Sequence, residues 1–419
     1  MKRKTINWRR SLLLGCGMSL CAGAALADGW EQVAVPDALS VTLADGSQRD
    51  LQPSCSGGPQ LANPALGLAP GNVVAAETDF SYFVQMGNPN RVLFFLDGGG
   101  ACWNAETCIG SPLFSDSTYT QTVDETPEAL ENAGGVLDGD NDSNPYANYT
   151  KVFVPYCSGD IHYGSRDTLY TLRTGFGDIP WPIRHRGTDN LLAVMATLRD
   201  QGGVDLANAK EVSVAGVSAG GYGATLAFGY VAEDAPEAQL NLISDAAIGV
   251  QTADFYREAI YNPTNPGSES WGVSANLPPW VPGFADPDAF LSASVNQPLI
   301  FQPLLFGALA DYRPDARLAS VTTNLDSVQV AFYSLTRPGV PLPQVAGEWY
   351  FAMAGITTAT AANGNYRFFI EGGNFHTFLT ADDRLYGSGV NGISLAEWID
   401  AMIKPGNRAW DNLDAGRPF

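Results

Sequence analysis

The apolar residues of this chain fall into short, uninterrupted runs separated by turn-rich segments. Runs such as residues 91–96 (RVLFFL) and 151–155 (KVFVP) are typical of strands that are covered on both faces, as in a parallel sheet. Residues 188–199 have the spacing of an amphipathic helix instead, and Gly202 and Gly203 follow as a stop signal. Strand, helix and strand in this order predict the right-handed crossover unit of an α/β fold.

Further segments extend this pattern along the chain. Additional strands are predicted at 41–43, 81–86, 240–244, 318–325 and 366–370, and helices at 348–360 and 395–403. We therefore expect an α/β fold with a mostly parallel sheet and helices on both faces. Residues 261–315 are rich in Pro, Trp, Gly and Asn, which favours a loop-rich cap insertion over a second domain. Residues 111–148 are polar and predict a surface excursion.

One strand-to-helix junction, residues 210–225 (KEVSVAGVSAGGYGAT), contains a candidate nucleophile. Its centre, Gly216 to Gly220 around Ser218, fits the G-x-S-x-G nucleophile elbow, in which a tight turn exposes a serine hydroxyl above the sheet. Small flanking residues are needed there because side chains would clash with the neighbouring strand or helix. The same pattern also occurs as an ordinary glycine-rich loop. The predicted strand before it and helix after it favour Ser218 as a nucleophile.

A nucleophilic serine needs a base and an acid to orient that base. His376 lies in a glycine-rich loop after the last predicted strand, where an α/β-hydrolase places its base. Asp326 and Asp245 both follow apolar runs; Asp326 is favoured as the acid by its later position, and Asp245 is the alternative or a supporting residue. His162 is a candidate substrate contact or an ordinary loop histidine, and His185 is expected to be structural or exposed.

A glycine-rich loop, residues 97–103 (DGGGACW), follows the predicted strand at 91–96. Three glycines leave backbone N–H groups unobstructed, as an oxyanion hole requires. A flexible turn is the competing interpretation. Cys102 and Cys108 argue against simple flexibility, because a local disulfide would hold the loop in shape.

The first 27 residues predict a secretory signal peptide, because five basic residues precede a short apolar run and a small-x-small site at 25–27. Arg9 and Arg10 leave a twin-arginine signal open, and Cys16 leaves a lipoprotein site open. Residues 28–419 are then expected to form a single catalytic domain. They carry 18 basic against 44 acidic residues, a net charge of −26. This charge argues against nucleic acid as a partner, and no second stretch is long enough to span a membrane.

The four cysteines outside the leader are an even number in a chain bound for an oxidising compartment, which predicts two disulfides. Three pairings are possible; Cys102 with Cys108 and Cys55 with Cys157 is favoured. A zinc site is a weaker alternative, since paired C-x-x-C spacings are absent and the chain has three histidines. The acidic residues in 138–142 are interpreted as a solvated loop, since a calcium loop needs a closing glutamate. No metal or cofactor is expected.

Several of these segments resemble the pectin acetylesterase and Notum family of secreted carboxylesterases, which has the α/β-hydrolase fold. The resemblance covers roughly residues 55 to 376. The segments that carry it are 96–108 (LDGGGACWNAETC), 156–160 (YCSGD), 216–223 (GVSAGGYG), 244–246 (SDA) and 325–330 (LDSVQV).

The resemblance implies a set of site residues. They are Ser218 as nucleophile, Asp326 as acid, His376 as base, and the N–H groups of Gly99, Gly100 and Ala219 as oxyanion hole; Trp103 and His162 are candidate substrate contacts that do not come from the resemblance. It also argues against Asp245 as the acid. The chain departs from the family where Gly100 replaces a tryptophan and where residues 374–377 (NFHT) lack the cysteine-flanked histidine of plant members.

The expected function is thus an exported serine carboxylesterase that acts on O-acetyl esters of a polysaccharide such as pectin. A lipase, thioesterase or polyester depolymerase is the alternative if the segment 271–306 lines a deep apolar pocket. A non-catalytic carbohydrate-binding protein is a third possibility. The sequence does not define the oligomeric state.

Overall fold

The computed structural model describes residues 29–66, 71–110, 118–174, 177–387, 389–404, 406 and 409–418. The predicted signal peptide lies outside these residues. Within them, nine strands form one central sheet. The strands are β1 (Trp30–Ala34), β2 (Ser81–Gln85), β3 (Asn88–Leu96), β4 (Tyr149–Val154), β5 (Glu211–Val217), β6 (Gln239–Asp245), β7 (Arg317–Thr323), β8 (Tyr366–Glu371) and β9 (Leu413–Asp414).

The sheet is mostly parallel, as the apolar runs predicted. Its strand order is β1-β2-β4-β3-β5-β6-β7-β8-β9. The pairs β1–β2 and β2–β4 are antiparallel, and every pair from β4–β3 to β8–β9 is parallel. The segment at 366–370, expected to be the last strand, is followed by β9 at the sheet edge. The carboxyl ends of β3, β5, β6, β7 and β8 therefore meet at one edge, where sites form in such sheets.

Six helices of nine or more residues lie in the described part of the chain. They are α1 (Gly187–Leu198), α2 (Ala219–Asp234), α3 (Phe301–Tyr312), α4 (Ser327–Leu335), α5 (Leu342–Thr360) and α6 (Leu395–Ile403). Shorter helices occupy Ala105–Cys108, Pro127–Glu131, Ala253–Phe255, Pro287–Ser292 and Asp382–Leu385. No helix among the described residues is both long and apolar enough to cross a membrane.

Helices cover both faces of the sheet. Alternate side chains of β3 point to opposite faces: Phe94 packs in the core that contains Leu191 of α1, whereas Phe95 packs in the core that contains Ile399 of α6. A strand in this position has no solvated face, so it has no alternating polar positions. This is why residues 92–96 form an unbroken apolar run.

The segment between β6 and β7 contains the predicted cap at 261–315. Its apolar side chains, including Trp271, Leu277 and Phe284, are buried in the same core cluster as β3, α1 and α2. The segment thus shares the main core, and none of the described strands lies within it. A further excursion, the antiparallel hairpin of Arg166–Thr174 and Gly177–His185, lies outside the central sheet.

Two disulfides connect the segments around the sheet edge. They join Cys55 to Cys157 and Cys102 to Cys108, the pairing that the sequence favoured. Their sulfur atoms are therefore not available as thiolate ligands for zinc. The shorter bridge closes the glycine-rich loop after β3, and the longer one fixes the residues after β4 to the N-terminal part of the chain.

Candidate active site

Ser218 occupies the sharp turn between β5 and α2. Its backbone has φ 55° and ψ −121°, a conformation that non-glycine residues rarely adopt. Its N–H donates to the carbonyl oxygen of Asp245 at 2.8 Å, which fixes the turn to β6. A side chain at Gly220 would collide with the carbonyl oxygen of Leu96. The geometry is that of a nucleophile elbow, in which the fold sustains local strain to expose the serine.

Buried Asp326 and partly exposed His376 form a hydrogen-bonded pair after the ends of β7 and β8. The imidazole Nδ1 lies 2.8 Å from Oδ2 and 2.9 Å from Oδ1 of Asp326. The same carboxylate caps α4, because Oδ1 accepts from the N–H groups of Val328 at 3.0 Å and Gln329 at 2.9 Å. His376 Nε2 is buried and makes no hydrogen bond within the described residues. The structure thus pairs Nδ1 and leaves Nε2 unpaired.

Gln329 is a supporting residue to which the sequence analysis assigned no role. Its Nε2 donates to Oδ2 of Asp326 at 3.0 Å and to Oγ1 of Thr322 at 3.1 Å. Its Oε1 accepts from the N–H of Ile248 at 3.0 Å, so the amide orientation is fixed from both ends. The only available signal was its place in the segment LDSVQV. Gln329 therefore holds the Asp326 carboxylate toward the imidazole.

Asp245, the alternative acid, contacts the histidine loop through the backbone. Its Oδ2 accepts from the N–H groups of Phe378 at 2.7 Å and Leu379 at 2.9 Å. Burial raises the pKa of this carboxyl to about 7. Because its carbonyl oxygen also accepts from Ser218, Asp245 connects the serine turn to the histidine loop. It is a supporting residue and not the partner of the imidazole.

Three backbone amides are the candidate oxyanion-hole donors; Gly100 and Ala219 line the same cavity as Ser218, and Gly99 directly precedes Gly100. Those of Gly99 and Gly100 belong to the loop after β3, and that of Ala219 begins α2; none of the three makes a hydrogen bond to the described residues. The loop is held by Thr120 N–H, which donates to Gly99 O at 2.8 Å. Gly100 has φ +79°, and a side chain there would collide with the carbonyl oxygen of Thr118. This backbone therefore requires glycine at position 100.

The structure does not bring His162 into the site. Its side chain is buried beside Tyr156, with ring centroids 4.9 Å apart, and its Nε2 is 2.9 Å from the carbonyl oxygen of Asp97. Burial lowers its pKa to about 4. Of the two interpretations of His162, the structure favours the ordinary loop histidine, because its imidazole contacts the carbonyl oxygen of Asp97 at the start of the glycine-rich loop. His185 is buried and structural, between Tyr170 and Ser158.

A cavity of about 100 Å³ opens at the serine. Ser218, His376, Gly100 and Ala219 all line it. Trp103, the other predicted substrate contact, lines it as well. Most of the remaining walls are apolar or aromatic, a feature that the sequence did not indicate. These walls include Ile161, Val250, Phe255, Trp271, Phe332, Tyr333 and Trp349.

The fold and the order of these residues define the class of protein. A serine at a strand-to-helix elbow, followed along the chain by an acid and then a histidine at later strand ends, is the arrangement of the α/β hydrolases. A solved structure of the Wnt deacylase Notum from Drosophila has the same fold, with a TM-score of 0.51 and 19% identity. The similarity covers 83% of this chain and 92% of that one.

Sequence comparisons find similarity to one family of carboxylesterases. Residues 78–265 match the pectinacetylesterase family model. The chain is 30% identical to human palmitoleoyl-protein carboxylesterase NOTUM over 36% of its own length and 28% of that protein. It is 26% identical to pectin acetylesterase 4 of Arabidopsis thaliana over 42% of its length and 39% of that protein. The chain is thus similar to the pectin acetylesterase/Notum family over these segments, and the matches span about a quarter to two fifths of these relatives.

Proposed function

We propose that the protein is a serine carboxylesterase with Ser218 as nucleophile, His376 as general base and Asp326 as the acid that orients His376. The main support is the geometry of the histidine: Nδ1 is held by a buried carboxylate, Nε2 has no hydrogen-bond partner among the described residues, and His376 lines the same cavity as the strained serine. Such an imidazole is oriented to accept the serine proton. Catalytic hydrogen bonds are often long before substrate binds and shorten in the complex.

The reaction proceeds in two halves. Ser218 Oγ attacks the ester carbonyl carbon as its proton moves to His376 Nε2, and the amides of Gly99, Gly100 and Ala219 stabilise the oxyanion. The C–O bond to the alcohol then breaks, and the imidazolium donates its proton to the leaving alkoxide. Water attacks the acyl-serine with the imidazole as base. The products are an acid, an alcohol and the regenerated serine.

Two ester classes come from the relatives' names. O-acetyl esters on a polysaccharide such as pectin follow from the pectin acetylesterase relative. An apolar acyl ester follows from the palmitoleoyl-protein carboxylesterase relative, and the aromatic walls of the cavity support it. Trp271 lines that cavity, whereas Phe306 at the other end of the insertion packs against Tyr366 in the core.

Export to an oxidising compartment is also part of the proposal. Two disulfides support it, because such bonds persist outside the reducing cytoplasm. N-terminal sequencing of the protein recovered outside the cytoplasm tests this point. A new N-terminus near residue 28 is expected, and an intact, reduced chain retained in the cytoplasm would contradict it.

The catalytic assignment is tested by labelling with a fluorophosphonate and mapping the modified peptide. Modification of Ser218 is expected, together with hydrolysis of p-nitrophenyl acetate that is lost in Ser218→Ala. Ser292, on the Pro287–Ser292 helix away from the cavity, offers a control as Ser292→Ala, which should keep both properties. Labelling at another residue, or unchanged hydrolysis by folded Ser218→Ala, would refute the assignment.

A further inference from the structure

The cavity at Ser218 has no charged acidic or basic side chain among its described lining residues. Among the described residues that line the cavity, none is Asp, Glu, Lys or Arg, and the only ionisable side chains are His376 and the two tyrosines Tyr222 and Tyr333. A carboxylate entering this cavity would lose its hydration without gaining a cationic partner, which is strongly unfavourable. The walls therefore favour a neutral group.

Aromatic rings form the wall nearest the glycine-rich loop. Trp103 and Phe255 meet edge to face with centroids 5.0 Å apart, and Phe255 and Trp271 meet edge to face at 5.8 Å. Phe332 from α4 lies 6.5 Å from Trp103. These rings come from three distant parts of the chain and present flat apolar surfaces. Such surfaces contact compact aliphatic or aromatic groups efficiently.

This wall is held in shape without a ligand. The indole N–H of Trp271 donates to the carbonyl oxygen of Cys102 at 2.8 Å, and Ser270 Oγ donates to the carbonyl oxygen of Trp103 at 2.7 Å. The Cys102–Cys108 disulfide closes the same loop. Phe255 is followed by a π-helical turn, Tyr256–Ile260, a feature that is frequent at functional sites. A wall fixed in this way selects its ligand by size, because little rearrangement is available.

From these observations we infer that the substrate's acyl group is neutral, apolar and compact: larger than acetyl, much shorter than a fatty-acid chain, and of the size of a short branched or phenyl acyl group. The cavity of about 100 Å³ is near the roughly 150 Å³ that holds benzene in an apolar protein cavity. An acetyl methyl group leaves part of such a cavity unfilled. This inference rests on the proposed esterase function and narrows its substrate class.

A panel of p-nitrophenyl esters tests the size of the acyl group. Acetate, butyrate, benzoate and palmitate are compared by kcat/KM, each divided by its rate of hydroxide-catalysed hydrolysis. Butyrate should exceed acetate by roughly 15-fold, since each buried methylene contributes roughly fourfold. Benzoate should match or exceed butyrate, and palmitate should fall below acetate. A corrected kcat/KM that is highest for palmitate, or highest for acetate, would overturn the inference.

A matched pair of esters tests whether the acyl group must be uncharged. Mono-p-nitrophenyl succinate has the same four-carbon chain as the butyrate ester but ends in a carboxylate. We expect it to be hydrolysed at least about 100-fold less efficiently, because the walls offer no cation. Equal efficiency would refute the neutral-acyl inference. If no ester is hydrolysed and Ser218 is not labelled by fluorophosphonate, the esterase proposal itself fails, so the two failures are distinguishable.

Removing an aromatic side chain from the cavity wall should change the enzyme's preference for acyl-chain length. Phe255→Ala and Phe332→Ala are expected to raise the octanoate-to-acetate ratio of kcat/KM by about tenfold, since pocket methylenes discriminate by 10-fold or more. Phe351→Ala is the control, because that ring is 60% exposed and does not line the cavity. Phe255→Leu replaces the alanine variant if thermal unfolding shows that the latter is not folded. An unchanged ratio in folded variants would contradict the assigned wall.

Discussion

Two buried aspartates contact the histidine loop, and replacing each by asparagine separates their roles. Asp326 contacts the imidazole Nδ1, whereas Asp245 contacts only the backbone N–H groups of Phe378 and Leu379. Asp326→Asn and Asp245→Asn remove the same charge with nearly the same shape. The structure predicts very different losses of activity from the two substitutions.

In Asp326→Asn, the surrounding donors decide how the amide is oriented. The N–H groups of Val328 and Gln329 both donate to Oδ1, so the asparagine oxygen should take that position. Its NH₂ group then faces Nδ1 of His376, which must become an acceptor and place its proton on Nε2. An imidazole in this tautomer cannot accept the serine proton. We expect kcat to fall about 10,000-fold, equivalent to about 5 kcal/mol, as when a serine protease loses its acid in this way.

In Asp245→Asn, the important contacts survive. The asparagine oxygen can replace Oδ2 and accept from Phe378 and Leu379, and its NH₂ group takes the place of Oδ1, which has no hydrogen-bond partner within the described residues. A neutral acceptor makes weaker hydrogen bonds than a carboxylate, by about 1 kcal/mol. We therefore expect kcat to fall by less than about tenfold.

The assay measures kcat with p-nitrophenyl butyrate after the active serine has been titrated with a fluorophosphonate. Circular dichroism and thermal unfolding establish that both variants are folded. A folded Asp245→Asn variant that loses as much activity as Asp326→Asn would refute the reasoning. The imidazole would then depend on Asp245 for its orientation.

Three further outcomes follow from burial, sterics and loop closure. Burial raises the pKa of Asp245 to about 7, so the folded protein keeps this proton over a pH range in which the unfolded chain loses it. As pH rises from about 4 to 7, chemical denaturation should therefore show that the unfolding free energy of wild type falls by on the order of 4 kcal/mol relative to that of Asp245→Asn. A difference in unfolding free energy that does not change with pH would contradict this. Gly100→Ala should lower kcat at least about 100-fold, because the new Cβ meets the Thr118 carbonyl oxygen and displaces an oxyanion amide; wild-type kcat would exclude that amide. Replacing Cys55 and Cys157 by serine should lower the unfolding free energy by about 4 kcal/mol, measured by thermal unfolding, because this bridge spans 102 residues. Replacing Cys102 and Cys108 should lower it by only about 2 kcal/mol. A larger loss from the shorter bridge would argue against loop entropy as the cause.

The central sheet was predictable because its strands are buried on both faces. Residues 92–96 have no solvated side, so apolar side chains are continuous along them, and residues 240–244 are likewise buried throughout, with Asn241 and Ser244 as their two polar side chains. The elbow was predictable for a related reason. Glycine at position 220 is required by the approach of a neighbouring carbonyl oxygen, and such a requirement is visible in the sequence.

Other elements depend on contacts that periodicity does not encode. The strand Gly177–His185 contains Pro180 and Pro182 and lies outside the central sheet, so its sequence lacks the apolar run of a core strand. The helix α4 contains Val328 and Val330, which favour strands. It begins where it does because the Asp326 carboxylate accepts from its first N–H groups. The same side chain thus starts the helix and contacts the imidazole.

The candidate catalytic residues could be predicted from the sequence, whereas the residues of the cavity wall could not. Ser218, Asp326 and His376 each follow a strand of a parallel sheet, and strand order alone brings their segments to one edge. No comparable rule predicts that Phe255 and Phe332 both contact Trp103, because their segments meet only when the insertion packs onto the core. Relatives can therefore share the catalytic motifs while their pocket walls differ. The acyl group must accordingly be inferred from the walls of this cavity and not from the motifs.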